Sequence, residues 1–301
     1  MSMNDPTLDL ALGFAIPQRH ARGRLVRLGP TLTRVLAAHA YPPAIERLLA
    51  EALTLTALIG STLKDGDAQL TMQTRTETGV VRLLVCDYRG GAVRGYVEFD
   101  ADALAAAPIE PTLFALFGPT YLAITFDLAT SGERYQGIVP LDGETLAEAV
   151  QSYFVQSEQI PSLVRIGVGK LADGTTIAGG LFLQHLPEGE DGRERLHTRL
   201  DHPEWEHVAA LGETVAPAEL ADRQLPLETL LWRLFNEDEV RLLSSTAMTR
   251  GCRCDGDHIR SVLAKFPADE RRAMADAQGL IKVDCHFCAT VFSVPSETVA
   301  A

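Results

Sequence analysis

The sequence predicts an α+β protein with three parts: an N-terminal domain with helices and a mixed, largely antiparallel sheet, a helical linker, and a small cysteine-rich C-terminal domain. Three observations predict this division. Strand-like runs alternate with helical patterns from Leu25 to Pro187, the composition then becomes acidic, and four of the five cysteines lie in the last fifth of the chain. We therefore expect domains at residues 1–187, 188–250 and 251–301.

Composition and charge exclude several classes of protein. The 301 residues are 46% hydrophobic and 22% charged, as in folded globular proteins. The net charge of −13 means that the average surface repels a nucleic-acid backbone. No run reaches the roughly 18 apolar residues of a membrane span, and Asp5 and Asp9 stand where a signal peptide would be basic. We expect a cytoplasmic protein with no nucleic-acid and no membrane partner.

The first long element is a helix that begins after Tyr41-Pro42-Pro43. Its apolar side chains follow the 3.6-residue helical period at Ile45, Leu48, Leu49, Ala52, Leu55, Leu58 and Ile59. This pattern predicts an amphipathic helix with one buried face.

Short strands follow this helix. Three β-rich runs occupy residues 69–74, 80–86 and 92–99, and a second hairpin joins residues 121–127 to 133–139. Gly90 and Gly91 supply the positive φ angles of a hairpin turn. Asp142 is then expected to cap a helix that ends before Pro161 and carries Leu146, Val150, Tyr153 and Phe154 on one face.

The linker is predicted from charge and from two helical patterns. Between His185 and Gly251 the chain has 14 acidic and 7 basic residues. An apolar stripe at helical spacing comprises Leu227, Leu230, Leu231, Leu234 and Phe235, directly before Glu237-Asp238-Glu239. A shorter helix around Trp205 is expected to close at Gly212. Neither helix can form a large core alone, so both are expected to dock on a neighbouring surface.

Other candidate residues have simpler structural interpretations. Cys86 lies in an apolar strand and is expected to be a buried thiol. The basic cluster of Arg19, His20, Arg22, Arg24 and Arg27 is expected to be solvated rather than an anion site. The run Gly167-Val168-Gly169-Lys170 lacks the first glycine and the Ser/Thr of a phosphate-binding loop, so it is not expected to bind phosphate.

The chemistry is concentrated in the C-terminal cysteines. Cys252 and Cys254 form a CxC pair, and Cys285 and Cys288 form a CxxC pair. Two close pairs of thiolates suit a tetrahedral Zn²⁺ with Zn–S bonds near 2.3 Å, because each pair spans adjacent corners without backbone strain. The alternative is four thiols that never meet. His258 and His286 are expected to be surface residues, because four cysteines already complete the site.

The same spacing suits redox chemistry. Cysteines two or three residues apart can form local disulfides after modest backbone movement, and metal-bound thiolates remain open to oxidants. A tail of about fifty residues has little core, so loss of its metal would unfold it. The site is therefore expected to act as a switch as well as a structural cross-link.

The sequence resembles the redox-regulated 33 kDa chaperonin family (heat shock protein 33) over nearly its whole length. The segments that carry the resemblance are residues 93–96 (VRGY), 135–141 (YQGIVPL), 153–161 (YFVQSEQIP), 178–184 (AGGLFLQ), 231–235 (LWRLF), 237–240 (EDEV) and the CxC and CxxC pairs. The resemblance implies a non-enzymatic, ATP-independent holdase that is inactive when reduced and zinc-bound. It also implies that oxidation releases zinc, unfolds the C-terminal region and linker, and exposes a surface for unfolded or oxidatively damaged proteins.

Carried onto this chain, the resemblance implies one Zn²⁺ held by Cys252, Cys254, Cys285 and Cys288. It further implies Cys252–Cys254 and Cys285–Cys288 disulfides on oxidation, and a homodimer in the activated state. One departure is Asp255-Gly256-Asp257-His258, which replaces the family's usual Ser-Arg-Glu type of segment. We expect these acids to alter oxidant sensitivity without changing the ligands.

Two other functions remain open on sequence alone. One is an enzyme or regulator whose α+β core binds a small ligand and whose four-cysteine zinc module is purely structural. The other is a zinc-ribbon nucleic-acid binder. The acidic balance argues against the nucleic-acid binder, and the lack of an identifiable catalytic constellation argues against the enzyme.

Overall fold

A computed structural model describes residues 7–64, 66–186 and 202–297, and it confirms the α+β class. The first half of the chain contains β1 (Leu10–Ile16), β2 (Ala21–Leu28), α1 (Pro30–Leu36), α2 (Pro43–Gly60), β3 (Gln69–Arg75), β4 (Val81–Arg89), β5 (Ala92–Phe99), α3 (Ala101–Ala105), α4 (Leu113–Phe117), β6 (Tyr121–Asp127), β7 (Arg134–Pro140) and α5 (Leu146–Gln156).

The second half continues with β8 (Ser162–Lys170), β9 (Thr176–His185), α6 (Pro203–Glu213), α7 (Pro217–Leu220), α8 (Leu227–Phe235), β10 (Arg241–Ala247), β11 (Thr249–Arg250), α9 (Gly256–Leu263), α10 (Ala268–Met274), β12 (Leu280–Asp284) and β13 (Val291–Pro295). None of the helices within the described ranges is long and apolar enough to span a membrane.

The strands of the described residues form three sheets. The first has the order β10-β1-β2-β9-β8, the second has the order β11-β5-β4-β3-β6-β7, and β12 pairs with β13 in a separate hairpin. The pairs are antiparallel except for the short parallel pair of β11 with β5.

Helix α2 lies between the two large sheets, and its side chains form the centre of the main core. The predicted helix is present, but from Ala52 to its end at Gly60 every residue is buried, including Thr54 and Thr56. Each threonine hydroxyl donates to the carbonyl four residues earlier, at 2.8 Å, so no buried hydroxyl lacks a partner on this helix face. A helix covered by two sheets needs no polar face, and the sequence pattern alone did not predict this.

Two predicted helix ends need correction. Thr145, not Asp142, caps α5, because the Thr145 hydroxyl accepts the backbone N–H of Glu148 at 3.2 Å. Helix α6 runs through Gly212 instead of closing there. A Cβ on Gly212 would lie 2.5 Å from Leu183 Cδ1, so the glycine permits close packing of α6 on the sheet.

The segment predicted as a linker contains both helices and strands. Its described part, residues 202–250, contains α6, α7 and α8, which we call the connector helices, and then β10 and β11. These strands pair with β1 and β5, respectively, so the chain joins both large sheets before it reaches the first paired cysteine. The domain boundaries at residues 187 and 250 remain a prediction from sequence.

Candidate metal centre and the surfaces around it

Two separate segments bring the four C-terminal cysteines together. Cys252 and Cys254 follow β11, while Cys285 and Cys288 lie in the turn between β12 and β13. That turn is fixed by backbone hydrogen bonds to the Cys285 carbonyl, from the N–H of Cys288 at 3.2 Å and of Ala289 at 2.8 Å. The sulfurs of the CxC pair and of the CxxC pair meet in one cluster.

The distances between the sulfurs suit a metal ion. All four Sγ atoms lie within 4.8 Å of one another. Cys252 Sγ lies 3.4 Å from Cys254 Sγ and 3.5 Å from Cys285 Sγ, and Cys254 Sγ lies 3.4 Å from Cys288 Sγ. Sulfurs around a tetrahedral zinc with bonds of about 2.3 Å are separated by about 3.8 Å. The donor set and its spacing therefore fit Zn²⁺.

The four thiols have different electrostatic environments. Burial opposes ionisation of Cys288, but hydrogen bonds with the Thr290 side chain and backbone, and with Cys254 and Cys252, outweigh it and lower the pKa of Cys288 to about 6. Burial and hydrogen bonds to neighbouring thiols raise the pKa of Cys254. Burial also raises the pKa of Cys285. One sulfur of the cluster is thus favoured as the thiolate.

The residue inside the CxC pair contacts the second large sheet. Arg253 donates from Nη1 to Gln69 Oε1 at 2.5 Å, and its Nη2 lies 3.4 Å from Asp87 Oδ2. Asp87 is nearly fully buried and also pairs with Arg94 at 2.6 Å. Arg253, which lies between the two cysteines in sequence, therefore attaches the CxC segment to β3 and β4.

The residues inside the CxxC pair contact the same sheet. The His286 ring stacks on Tyr96, with centroids 5.1 Å apart, and the His286 carbonyl lies 2.7 Å from Nε2 of His39. The Arg94 guanidinium lies over the Phe287 ring, 4.0 Å from its centroid. His286 makes these contacts while remaining exposed, and His258 is also exposed, so both are surface residues as predicted.

The cysteine domain, described from residue 251 to 297, has a small core. Its buried apolar cluster consists of Leu263, Ile281 and Val294. So few buried side chains supply little of the free energy needed to fold such a domain. The cluster geometry and this small core both indicate that a bound metal would contribute to folding.

A second apolar cluster lies where the connector helices cover the first sheet. The sheet contributes Leu12, Phe14, Ile16, Ala21, Leu25, Leu163, Leu181 and Leu183, and the connector region contributes Trp205, Val208, Val215, Leu220, Leu225, Leu227, Leu230, Leu231, Leu234 and Phe235. The predicted stripe on α8 is entirely within this cluster, and Phe235 packs against Phe14 with ring centroids 6.0 Å apart. The connector helices therefore hide a continuous apolar sheet face.

Buried charge also holds the connector, and sequence reasoning missed this. Arg27 was expected to be solvated, but it is fully buried. Its guanidinium donates to the carbonyls of Leu220 at 2.9 Å, Leu225 at 2.5 Å and Glu219 at 3.1 Å. Arg27 lies on β2, and its partners are more than 190 residues away along the chain, so no local pattern could have predicted them.

A charged cluster fixes both ends of the connector. Arg19 pairs with Glu204 at 2.5 Å and with Asp238 at 2.8 Å, and His207 Nε2 lies 3.2 Å from the Asp238 carboxylate. The Asp238 side chain is 1% exposed. Burial opposes its ionisation, but the Arg19 and His207 contacts prevail and lower the pKa of Asp238.

Two glycines allow α7 to approach the sheet backbone. A Cβ on Gly167 would lie 1.9 Å from the Pro217 carbonyl oxygen, and one on Gly179 would lie 2.0 Å from the Leu220 carbonyl oxygen.

Residues 167–170 form part of β8, consistent with the sequence argument against a phosphate loop. Cys86 is fully buried as predicted, and burial raises its pKa, so its thiol is inert relative to the clustered cysteines.

Comparison with known proteins gives concordant matches. The family model described as "Hsp33 protein" matches residues 9–295. The 33 kDa chaperonin of Caulobacter vibrioides strain NA1000 / CB15N is 39% identical over 293 residues, covering 95% of this chain and 94% of that protein. The 33 kDa chaperonin of Yersinia pestis strain Pestoides F is 36% identical over 275 residues, covering 89% and 85%.

A solved structure supports the fold. The crystal structure of the 33 kDa chaperonin (heat shock protein 33 homolog) from Thermotoga maritima superposes with a TM-score of 0.77 and covers 96% of this chain and 95% of that chain. Its sequence identity is 23%, so the similarity concerns the fold.

Proposed function

The chain belongs to the Hsp33 family, and from this premise we propose that it is a redox-regulated, ATP-independent holdase chaperone of the cytoplasm. In the proposed cycle the reduced, zinc-bound protein is inactive. Oxidation forms the Cys252–Cys254 and Cys285–Cys288 disulfides, with loss of zinc and unfolding of the C-terminal region and linker. The exposed surface then binds unfolded or oxidatively damaged proteins, without catalysis and without nucleic acid or membrane, and the active form is a homodimer.

The observation that carries this proposal is the apolar sheet face beneath the connector helices. A continuous hidden cluster of this kind is suited to binding unfolded chains once it is uncovered. The segment that covers it continues through β10 and β11 directly to Cys252. Unfolding at the cysteine cluster therefore acts on the same stretch of chain that masks the face.

The reduced state is held by the four sulfurs. Bound Zn²⁺ neutralises part of the thiolate charge and cross-links the two cysteine segments. When a close pair is oxidised by a peroxide, two thiolates lose two electrons and form an S–S bond. The peroxide O–O bond breaks, and with two protons the oxidant becomes two molecules of water, or water and an alcohol. A disulfide sulfur lacks the negative charge of a metal ligand, so the cluster disperses.

The docking contacts couple this chemistry to the core. Arg253 lies between the CxC sulfurs, and His286 and Phe287 lie between the CxxC sulfurs, while all three contact the second sheet. Closing a disulfide across a loop of one or two residues changes the conformation of that loop. The contacts with Tyr96, Arg94 and Asp87 are then lost together with the metal site.

A metal measurement tests the site. We expect one zinc per reduced chain, and a Cys285→Ser variant that has lost most of it, because three thiolates leave the tetrahedron open. Cys86→Ala is the matched control, since Cys86 is a buried cysteine outside the cluster, and it should retain full zinc. Reduced protein without zinc, or unchanged zinc in Cys285→Ser, would contradict the assignment.

A peroxide titration tests the function. Zinc release and suppression of aggregation of a thermally unfolding reporter protein should rise together, without ATP, and the active fraction should elute as a dimer. A ligand-binding enzyme or regulator with a structural zinc would release zinc without gaining holding activity. Complete zinc release with no suppression of aggregation would therefore overturn the holdase proposal.

A further inference from the structure

Strand β10 is an edge strand held by few side chains. It pairs antiparallel with β1, with Leu10 opposite Ala247 and Ala15 opposite Arg241. Its side chains are exposed apart from that of Thr246, and even Leu242 and Leu243 are 56% and 44% exposed. The backbone ladder, rather than apolar burial, therefore accounts for most of its attachment.

The anchors of β10 lie at its two ends, in the parts that change on activation. Before the strand, Asp238 makes the contacts with Arg19 and His207 that fix the connector. After it, the Met248 N–H donates to the Asp9 carbonyl at 2.7 Å, and β11 leads to the cysteine cluster. Release of the connector and of the cysteine domain removes support from both ends.

Strand β1, the neighbour of β10 in the sheet, has a composition that would favour pairing with other chains if it became the edge strand. Its seven residues, LALGFAI, include no charged residue and no proline. Natural sheets protect exposed edges with charges, prolines or a covering element, because an unprotected apolar edge pairs with other chains. In the described structure β10 provides that cover.

We propose that, once β10 has been released, the β1 edge binds an extended apolar segment of an unfolded polypeptide by strand addition. The proposal rests on the holdase function and assigns a binding mode to it. Backbone hydrogen bonds give an edge affinity for many sequences, which suits diverse clients. Leu12, Phe14 and Ile16 lie in the face that the connector helices cover, so the added strand also borders this apolar surface.

Amide hydrogen exchange tests the site in the unmodified protein. Alternate β1 amides, those directed at β10, should be protected in the reduced state and exchange faster after oxidation. They should regain protection when a reduced, unfolded reporter protein is added. Continued protection after oxidation, or no return of protection when the client is bound, would overturn the site. Failure of the oxidised protein to hold any client would instead overturn the holdase function.

A cross-strand lock provides the second test. In Ala15→Cys/Arg241→Cys the new cysteines are directly opposite each other, so peroxide should fix β10 on β1. The control, Ala123→Cys/Ile138→Cys, locks the edge pair β6–β7, where the inner residue is again half-buried and the edge residue exposed. Peptide mapping establishes that both native pairs and the new pair are oxidised.

The two locks should behave differently. Both variants should release zinc, but client affinity of the β1–β10 lock should fall about tenfold or more relative to the β6–β7 lock, because the ladder is blocked. Equal client affinity in the two locks would exclude the β1 edge as the site. If the lock abolished dimerisation but left client affinity intact, the edge would bind a second copy of the chain, which also contradicts the proposal.

Discussion

At the scale of single residues, glycines on β8 and β9 determine how closely the connector can approach. Gly167 and Gly169 are two residues apart on β8, and they differ in what lies above them. A Cβ at Gly167 would clash with the Pro217 carbonyl, while a Cβ at Gly169 would lie 3.4 Å from the nearest atom, Ala221 Cβ. Such a pair separates the effect of close approach from the effect of glycine itself.

We predict that Gly167→Ala weakens connector docking by about 1–3 kcal/mol, the usual range for overpacking, and gives holding activity in the reduced, zinc-bound protein. Gly169→Ala should leave docking unchanged. Aggregation suppression and zinc content are measured on both reduced variants. Equal inactivity of the two variants would show that close approach of the Pro217 carbonyl to Gly167 is not needed to mask the client surface.

Asp238 predicts a pH dependence of connector stability. Its pKa is lowered in the folded state, so its stabilising effect is complete above the ordinary aspartate value of about 3.9 and is lost as the pH falls through the lower folded pKa. Asp238→Asn should therefore cost about 1–3 kcal/mol at neutral pH. The difference from wild type should disappear in strong acid.

The measurement is urea unfolding followed by Trp205 fluorescence. Trp205 is buried in α6 and Trp232 is exposed, so a Trp232→Phe background isolates the connector signal. Glu213→Gln is the control: it removes an exposed carboxylate from α6, the helix that carries Trp205, and should have little effect on stability. A stability difference for Asp238→Asn that did not change with pH would exclude its carboxylate charge as the cause.

At the scale of elements, α8 depends on docking. It has nine residues, and isolated helices of fewer than about 12 residues are marginal in water. Its buried stripe includes Leu231, whereas Thr229 on the same helix is exposed.

We predict that Leu231→Asp shifts the connector to the open state, because a buried leucine is worth about 2–5 kcal/mol and a carboxylate cannot remain in its place. The reduced variant should hold clients while its zinc is retained. Thr229→Asp introduces the same charge on the solvent side and should stay inactive. If Leu231→Asp also required oxidation, connector docking would not mask the client surface.

At the scale of the whole molecule, the described residues form one large apolar core and two smaller apolar clusters. The main cluster surrounds α2 between the sheets, whereas the connector cluster and the three-residue cluster of the cysteine domain are smaller. Local unfolding follows such differences in buried apolar surface.

Limited proteolysis after peroxide treatment at mild heat should follow this division. Cleavage is expected within residues 202–297, while residues 25–186 resist, because the main core retains its packing. Fragments are mapped by mass spectrometry at matched times before and after zinc release. Equal protection of both regions after complete zinc release would contradict coupling between the cysteine cluster and the connector.

Much of the candidate site could be predicted because its signals are local in sequence. The CxC and CxxC spacings predicted the cysteine cluster, and the leucine stripe predicted α8. The runs at residues 69–74, 80–86 and 92–99 predicted three strands, which the structure places side by side in the second sheet. Strand β10 was not predicted, because its exposed sequence RLLSSTA carries no alternating pattern and becomes a strand through pairing with β1.

The sequence by itself determined the amphipathic helices, the strands of the two predicted hairpins and the thiol pairs, since periodicity and spacing act between near neighbours in the chain. Only the tertiary structure decided what those elements meet. Arg253 reaches Gln69 across 184 residues, and Arg27 reaches Leu220 across 193. Such contacts depend on the order of strands in the sheets and on backbone approach at Gly167 and Gly179. No local pattern encodes them, because burial and pairing are set by the whole fold.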